Sequence, residues 1–189
     1  MRRMIAILLA MAALATPAAL QAELPAGTYA PSFSTRGANG GRAIAFNLNA
    51  ALRKGPVVLY FFPKAFTQGC TLETRAFADS HFQFARAGAT VVGMSADDLD
   101  TLKRFSTEEC RSQFPVAVAT PEIIRAFDVS LKREGLPGGM SNRTSYVIDT
   151  DGRIFFVHSD LDYRDHVKLA LLAVQRLQAE KAAGRRKGK

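Results

Sequence analysis

Two cysteines, Cys70 and Cys110, are the residues of this 189-residue chain best suited to covalent chemistry. Cys70 ends the stretch FFPKAFTQGC, which follows an apolar run typical of a buried strand and precedes a segment with helical periodicity. We therefore expect Cys70 in the first turn of a helix, one loop beyond that strand. Unpaired N–H groups and the positive end of the helix dipole stabilise a thiolate at such a position, and the thiolate is the nucleophilic form of cysteine. An inert buried thiol is the alternative.

Three other residues could provide a hydroxyl group, a pocket wall and a positive charge beside a nucleophilic thiolate. The Thr67 hydroxyl can donate to the thiolate or to a bound oxygen, and it can accept from a substrate hydroxyl. Pro63 has no N–H and a fixed φ, so it can shape and partly dry the wall of a pocket. Arg143 opens the predicted strand RTSYVID and carries a permanently charged guanidinium with five donors. Whether it reaches Cys70 depends on the direction of that strand in the sheet.

The remaining potential metal ligands do not form a recognisable site. Two cysteines cannot supply the four ligands of a structural zinc site, and His81, His158 and His166 show no metal-ligand spacing with them. We interpret each histidine as an ordinary surface or packing residue. The sequence therefore predicts no metal and no cofactor.

Residues 1–22 have the pattern of a secretory signal peptide: the basic start MRR, the apolar run MIAILLAMAALA and the small-residue end TPAALQA. A transmembrane anchor is the alternative, but the apolar run is short for a membrane span. We expect cleavage after Ala22, or after Ala18 or Ala19, and no stable membrane insertion afterwards. In an exported protein, two cysteines indicate a structural disulfide or a redox pair.

The formal net charge of +8 is concentrated at the two ends of the chain. Arg2, Arg3 and the five basic residues of the final KAAGRRKGK account for seven of the 25 basic residues, which leaves 18 against 17 acidic ones. The basicity therefore belongs to a tail, and no stacking aromatic residues are interleaved with it. We predict a basic disordered tail over residues 181–189 and no binding of nucleic acid.

The hydrophobic pattern alternates between strands and helices. Continuous apolar runs typical of buried strands are GPVVLYFF, ATVVGMS and FPVAVAT, and helical periodicity marks TLETRAFADSHFQFARAG, ADDLDTLKRFSTEEC, PEIIRAFDV and YRDHVKLALLAVQRLQAEKAA. The turn signals ANGG and DTDG indicate hairpins, the second within RTSYVIDTDGRIFFVHSD. This order predicts one α/β domain over residues 23–180, with a central sheet flanked by helices on both faces.

The stretch VVLYFFPKAFTQGCTLE resembles the active-site segment of peroxiredoxins, which has the form Pro-x-x-x-Thr-x-x-Cys. It is most similar to the peroxiredoxin Q, or bacterioferritin-comigratory, group, in which VVLYFYPK followed by TPGCT is the usual shape. APSF near the start of the chain, and GATVVGMS, FDV and RTSYVIDTDGRI after the active-site stretch, all lie in the expected order, so the resemblance covers roughly residues 28–177.

The resemblance implies a thioredoxin-like fold with a mixed sheet, and it implies a role for each matched residue. Cys70 would be the peroxidatic nucleophile. Thr67 and Arg143 would orient the peroxide and stabilise the charge that shifts between its oxygens. Pro63 would shield the thiolate, and Glu73, in the first turn of the predicted helix, would help to hold the arginine.

This sequence departs from the group's pattern at two positions. Gln68 replaces the proline of TPGC, and we expect little effect. Arg75 stands where many members carry the second, resolving cysteine, so that arrangement is not open to this protein. Some members place the resolving cysteine on the helix that ADDLDTLKRFSTEEC would form, which makes Cys110 the candidate. An unreactive helix thiol, or a static disulfide with Cys70, are the alternatives for Cys110.

A resolving role for Cys110 would require movement. Disulfide geometry needs Cα atoms about 4.4–6.8 Å apart, and the two cysteines are expected on different helices. We therefore expect the segment after Cys70 and the end of STEEC to unwind in the oxidised state.

The resemblance implies a thiol-dependent peroxidase that reduces hydrogen peroxide and organic hydroperoxides and is reset by a thioredoxin-like or other dithiol reductant. A thiol–disulfide oxidoreductase is one alternative, disfavoured because the chain has no Cys-x-x-Cys pair. A non-catalytic thioredoxin-like domain is another. The expected protein is a monomer or weak dimer of the bacterial periplasm.

Overall fold

One seven-stranded sheet organises the part of the chain that the computed structural model describes, residues 23–132 and 138–187. The strands are β1 (Ser34–Asn39), β2 (Arg42–Asn47), β3 (Val57–Phe61), β4 (Thr90–Ser95), β5 (Val116–Val118), β6 (Thr144–Ile148) and β7 (Ile154–Ser159). The helices are α1 (Leu48–Leu52), α2 (Gln68–Asp79), α3 (His81–Arg86), α4 (Leu99–Glu108), α5 (Pro121–Ala126) and α6 (His166–Lys187). The predicted signal peptide, residues 1–22, lies outside the described residues.

The sheet is mixed, in the order β2-β1-β5-β4-β3-β6-β7. Strands β3, β4 and β5 run parallel, while β6 lies antiparallel beside β3 and β7 lies antiparallel beside β6. Both predicted hairpins are present, β1–β2 and β6–β7. The predicted α/β class with a mixed central sheet is confirmed.

Helices cover both faces of the sheet because successive side chains of a strand point to opposite faces. In β3, Val58 and Tyr60 belong to a buried cluster with residues of α2, α3, α4 and α6. Leu59 and Phe61 belong to a second buried cluster, which contains residues of α1 and α5. The continuous apolar run of β3 is therefore the central buried strand that the sequence predicted.

Two helical regions of the domain differ from the sequence prediction. The segment predicted as one helix before Gly88 is divided into α2 and α3 at Ser80, whose φ of −93° and ψ of 0° interrupt the helix. The short helix α1 was not predicted. Its N-cap is Asn47, whose side chain accepts from the Ala50 N–H at 2.7 Å.

The predicted disordered tail is wrong for residues 181–187, because α6 continues to Lys187. Lysine, alanine and arginine favour helix, and positive charges are favourable near a helix C-terminus. Lys181 also forms an ion pair with Asp149 and donates to the Thr150 hydroxyl at 3.0 Å. Within the described residues, no helix has the length and apolar character that crossing a membrane requires.

A close contact between β3 and β4 fixes where α2 can lie. Tyr60 and Gly93 are partners in the parallel pair, and a Cβ on Gly93 would stand 2.8 Å from the Tyr60 hydroxyl. That hydroxyl shares a 3.0 Å hydrogen bond with Thr74 of α2. Only glycine leaves room for Tyr60 to reach the helix.

We expect Gly93→Ala to destabilise the fold by roughly 1–3 kcal/mol, because the added methyl group overpacks a buried site. Gly184→Ala is the matched control, since its Cβ would meet nothing within 4 Å and alanine favours helix. Urea unfolding of both variants measures the difference. Equal stability of the two would show that the Tyr60–Gly93 contact is not a constraint.

Candidate active site

The loop between β3 and α2 places Cys70 as the sequence predicted. Helix α2 begins at Gln68, so Cys70 is its third residue and lies in the first turn. The loop is anchored by Asp97, whose Oδ2 accepts from the Ala65 N–H at 2.7 Å and from the Ser95 hydroxyl at 2.6 Å. The Cys70 side chain is buried and forms no disulfide bond. A nucleophile therefore lies beside the unpaired N–H groups that begin a helix.

Phe66 turns the chain into this helix with an unusual backbone conformation. Its φ is +61°, a left-handed value that non-glycine residues adopt at a cost. Its ring packs edge-on against Phe105 of α4, with centroids 5.1 Å apart. The contact holds the turn immediately before Thr67. The sequence does not indicate Phe66 as part of the site, because positive φ at a phenylalanine has no local sequence signal.

Arg143 reaches Cys70 because β6 runs antiparallel to β3. Thr144 pairs with Phe61 at the end of β3, so the residue before Thr144 lies beside the loop that leads to α2. The Arg143 Nη2 is 3.5 Å from the Cys70 Sγ. Nη1 donates to the Glu73 carboxylate, and Nε donates to the Leu161 carbonyl at 2.9 Å. The structure therefore brings the arginine and the cysteine together.

Gly69 makes room for this guanidinium. A Cβ at Gly69 would lie 3.3 Å from Arg143 Nη2 and 3.7 Å from the Tyr163 ring. The glycine belongs to the motif TQGC. A side chain at this position would crowd Arg143, a residue more than seventy positions later in the chain. The sequence alone did not identify it as part of the site.

Glu73, to which the resemblance assigned the holding of Arg143, accepts a hydrogen bond from its guanidinium. It does so from the second turn of α2 and not from the predicted first turn, because the helix begins at Gln68. Burial of the carboxyl raises the pKa of Glu73 to about 8, and this effect outweighs the opposite effect of Arg143. Burial alone would lower the pKa of Arg143, but Glu73 and Cys70 together raise it. One buried cation therefore faces two groups that can each become an anion.

His166 lies behind Glu73 and was not predicted as part of the site. Its Nδ1 is 3.6 Å from Glu73 Oε1, an oxygen without a hydrogen-bond partner among the described residues. Its Nε2 is 2.9 Å from the Asp160 carbonyl, which can only accept, so Nε2 donates and Nδ1 accepts from the Ser145 hydroxyl at 2.8 Å. Burial lowers the pKa of His166 to about 4, so the ring is neutral at pH 7.

Thr67 and Pro63 belong to the loop that precedes Cys70 between β3 and α2. Thr67 is the N-cap residue of α2, and its exposed hydroxyl donates to the Lys64 carbonyl at 2.9 Å. Pro63 is half-buried and lines a cavity of about 480 Å³ together with Lys64, Asp97 and Met140. The roles of Thr67 and Pro63 toward a substrate stay predictions.

Cys110 follows α4 and is buried in the same apolar cluster as Cys70. Both cysteines are free thiols. Burial, and then the charge of Glu109, raise the pKa of the Cys110 thiol. In this position Cys110 is a poor nucleophile, and a resolving role for it stays a prediction.

The arrangement suits attack by sulfur on a polar bond. Arg143 and the start of α2 stabilise negative charge at Cys70, and Glu73 and Leu161 hold the arginine in place. The described residues contain no group of three or more His, Cys, Asp or Glu side chains that could hold a metal ion.

Comparison with known proteins identifies similar chains. Residues 26–157 match the AhpC/TSA family. Peroxiredoxin Q from the chloroplast of Oryza sativa subsp. japonica is 30% identical over 169 residues, which cover 80% of this chain and 73% of that protein. The crystal structure of peroxidoxin BcpB from Mycobacterium tuberculosis is 30% identical, with a TM-score of 0.71 over 80% of this chain and 96% of that one.

A third relative carries information on substrate class. The bacterioferritin comigratory protein of Xanthomonas campestris, studied for its alkyl peroxide reduction activity, is 25% identical. Its structure has a TM-score of 0.66 and covers 76% of this chain and 91% of that one.

The pKa of Glu73 predicts how stability depends on pH. The folded-state pKa of about 8 lies above the ordinary 4.5, so between these values the folded protein holds a proton that the unfolded chain has lost. The free energy of unfolding should therefore fall as pH rises through this window. Glu73→Gln should remove a slope of up to about 1.4 kcal/mol per pH unit.

Urea unfolding under reducing conditions between pH 7 and 8 measures this slope. His166 contributes little there, because its lowered pKa costs stability only as pH falls from about 6.5 to about 4. Glu122→Gln, at an exposed position of α5, is the control. The same pH slope in the native protein and in Glu73→Gln would show that Glu73 is ionised throughout.

Proposed function

Because this chain belongs to the AhpC/TSA family and, within it, to the peroxiredoxin Q group, it is a thiol-dependent peroxidase, and we propose that Cys70 is its peroxidatic cysteine and Cys110 its resolving cysteine. Cys70 lies in the first turn of α2, and its Sγ is 3.5 Å from Arg143 Nη2. This contact is the observation that carries the proposal for Cys70. The thioredoxin-like fold is shared with the solved peroxiredoxin structures.

In the first step, the Cys70 thiolate attacks one oxygen of the peroxide. A sulfur–oxygen bond forms and the oxygen–oxygen bond breaks, so that Cys70 becomes a sulfenic acid. The other oxygen leaves as hydroxide or alkoxide and takes up one proton, equivalent to the one that the Cys70 thiol released on ionising, to give water or an alcohol. Negative charge moves from the sulfur to the leaving oxygen. A cation that spans both positions stabilises this movement more than it stabilises the starting thiolate.

Arg143 is the group that can span these positions. Glu73 and the Leu161 carbonyl hold its Nη1 and Nε, which leaves Nη2 directed to the sulfur. In the proposed reaction, the Thr67 hydroxyl contacts the peroxide, and Pro63 limits the access of water to the thiolate. These two roles rest on the peroxiredoxin motif that the loop carries.

In the second step, the Cys110 sulfur attacks the Cys70 sulfur. A sulfur–sulfur bond forms, the sulfur–oxygen bond of the sulfenic acid breaks, and the hydroxyl leaves as water with the proton of the Cys110 thiol. A dithiol reductant of the thioredoxin type then exchanges with the disulfide and becomes oxidised itself. Because Cys110 is fully buried at the end of α4, the segment around it must open for this step.

Hydrogen peroxide and organic hydroperoxides are the proposed substrates. Support for the organic class comes from the Xanthomonas relative, which is studied for alkyl peroxide reduction.

We also propose export to the bacterial periplasm and a monomer or weak dimer, on the basis of the signal-peptide pattern of residues 1–22 and of the resemblance to the peroxiredoxin Q group.

Arg143→Gln should lower the second-order rate constant for peroxide by roughly 10²–10³, the usual cost of removing one donor that stabilises developing negative charge. Arg125→Gln removes an exposed arginine of α5 and is the control. Competition kinetics with a second peroxidase measures the rate. An unchanged rate in Arg143→Gln would remove the arginine from the mechanism.

Intact mass after one equivalent of hydrogen peroxide, with free thiols blocked, tests the two-cysteine cycle. We expect the native protein to lose two hydrogens and both blockable thiols, and Cys70→Ser and Cys110→Ser to show no such loss. Added oxygen on Cys70 with Cys110 still blockable would mean that the resolving thiol comes from another molecule. Two thiols unaffected by peroxide would exclude Cys70 as the nucleophile.

A further inference from the structure

Two ion pairs connect helix α2, which carries Cys70, to the segment that carries Cys110. Arg75 donates to both oxygens of Glu109, with Nε–Oε2 at 2.5 Å and Nη2–Oε1 at 3.3 Å. Arg111 Nη1 lies 2.5 Å from Asp79 Oδ1. Glu109 and Arg111 are the residues on either side of Cys110. The candidate resolving cysteine is therefore fixed to α2 from both sides.

The charges of these pairs define one alignment of the two segments. Arg75 and Asp79 are four residues apart on α2, so they lie on the same face of the helix. Along α2 the positive Arg75 comes before the negative Asp79. Along the segment the negative Glu109 comes before the positive Arg111, so each charge faces an opposite one. Sliding the segment by one turn would place like charges opposite each other. We name these four residues the charge clasp.

The backbone next to Cys110 is strained. Arg111 and Ser112 have φ values of +49° and +57°, which are left-handed conformations at two consecutive non-glycine residues. Two backbone hydrogen bonds hold the turn, from Ser112 N–H to the Ser106 carbonyl at 2.9 Å and from Gln113 N–H to the Cys110 carbonyl at 2.9 Å. Such a conformation persists only while its surroundings hold it. Opening the segment would release this strain.

The closed segment keeps Cys110 out of reaction. The thiol is fully buried, and burial together with the neighbouring Glu109 carboxylate raises its pKa. Arg75 has about half of its side chain exposed, at 48%, whereas Glu109 has 8%. Salt can therefore reach this pair from the Arg75 side and weaken it.

Building on the proposed resolving role of Cys110, we propose that the charge clasp holds the Cys110 segment closed and sets the rate of disulfide formation after Cys70 has been oxidised. Its four members, Arg75, Asp79, Glu109 and Arg111, are positioning residues. They do not act on the peroxide, so they leave the oxidation of Cys70 unchanged. By slowing the second step, the clasp prolongs the life of the sulfenic acid, which a second peroxide can oxidise to the sulfinic acid.

The test measures the two steps separately in the full chain by rapid quenching with a thiol-blocking reagent and intact mass. Glu109→Gln should form the Cys70–Cys110 disulfide about three to ten times faster than the native protein, while the rate of Cys70 oxidation stays within about twofold. Glu108→Gln removes an exposed carboxylate next to it on α4 and is the matched control. Its two rates should equal those of the native protein.

Arg75→Gln distinguishes the clasp from an effect on the thiol itself. Glu109→Gln also removes a charge that keeps Cys110 protonated, whereas Arg75→Gln leaves that charge in place and breaks only the pair. The clasp predicts faster disulfide formation in both variants, and no further gain in the double variant, because both changes remove the same interaction. Added 0.5 M KCl should speed the native protein toward the rate of the variants.

The outcomes separate this proposal from the one on which it rests. Disulfide formation at the native rate in Arg75→Gln and Glu109→Gln overturns the clasp and leaves the two-cysteine cycle standing. Absence of any Cys70–Cys110 disulfide in the native protein overturns both. Faster disulfide formation in Glu109→Gln but not in Arg75→Gln also overturns the clasp, because it assigns the effect to the charge beside the thiol.

Discussion

The buried guanidinium of Arg143 is the constraint on which the site depends. A charge taken out of water is tolerated only when hydrogen bonds and an opposite charge compensate it. Here the Glu73 carboxyl group, the Leu161 carbonyl and the Cys70 sulfur accept hydrogen bonds from the guanidinium. A thiolate at Cys70 is thus part of what stabilises the arginine, as much as the arginine stabilises the thiolate. The same contact explains why position 69 is a glycine.

The antiparallel strands β3 and β6 bring Cys70 and Arg143 together. Strand β3 ends at the site and is followed by the loop and α2, whereas β6 starts at the site and runs away from it, so that Arg143 lies beside Cys70. The position of α2 is fixed by Tyr60, whose ring stacks on Phe77 at 4.3 Å and whose hydroxyl meets Thr74. Catalytic geometry therefore rests on aromatic packing in the core as well as on the charged groups.

The two proposed cysteine roles place opposite demands on the protein. Attack on peroxide needs a folded first turn of α2, whereas disulfide formation needs the buried Cys110 segment to open. Local opening of this kind draws on regions whose stability is lower than that of the whole domain. The Cys110 segment, with its strained turn and partly exposed ion pairs, is a region of such lower stability. It can be held closed in the reduced state and still be released at a modest free-energy cost.

The sequence by itself determined the features that depend on neighbouring residues. The buried strands, the hairpins at ANGG and DTDG, and the place of Cys70 in the first turn of a helix follow from local patterns, and the resemblance to peroxiredoxins identified Arg143 and Glu73. Only the tertiary structure decided the contacts among residues far apart in the chain. The contact of His166 with Glu73, the space at Gly69 and the Arg75–Glu109 pair belong to this group. No local pattern encodes them, because they depend on strand direction and on how α2, α4 and α6 pack on one face of the sheet.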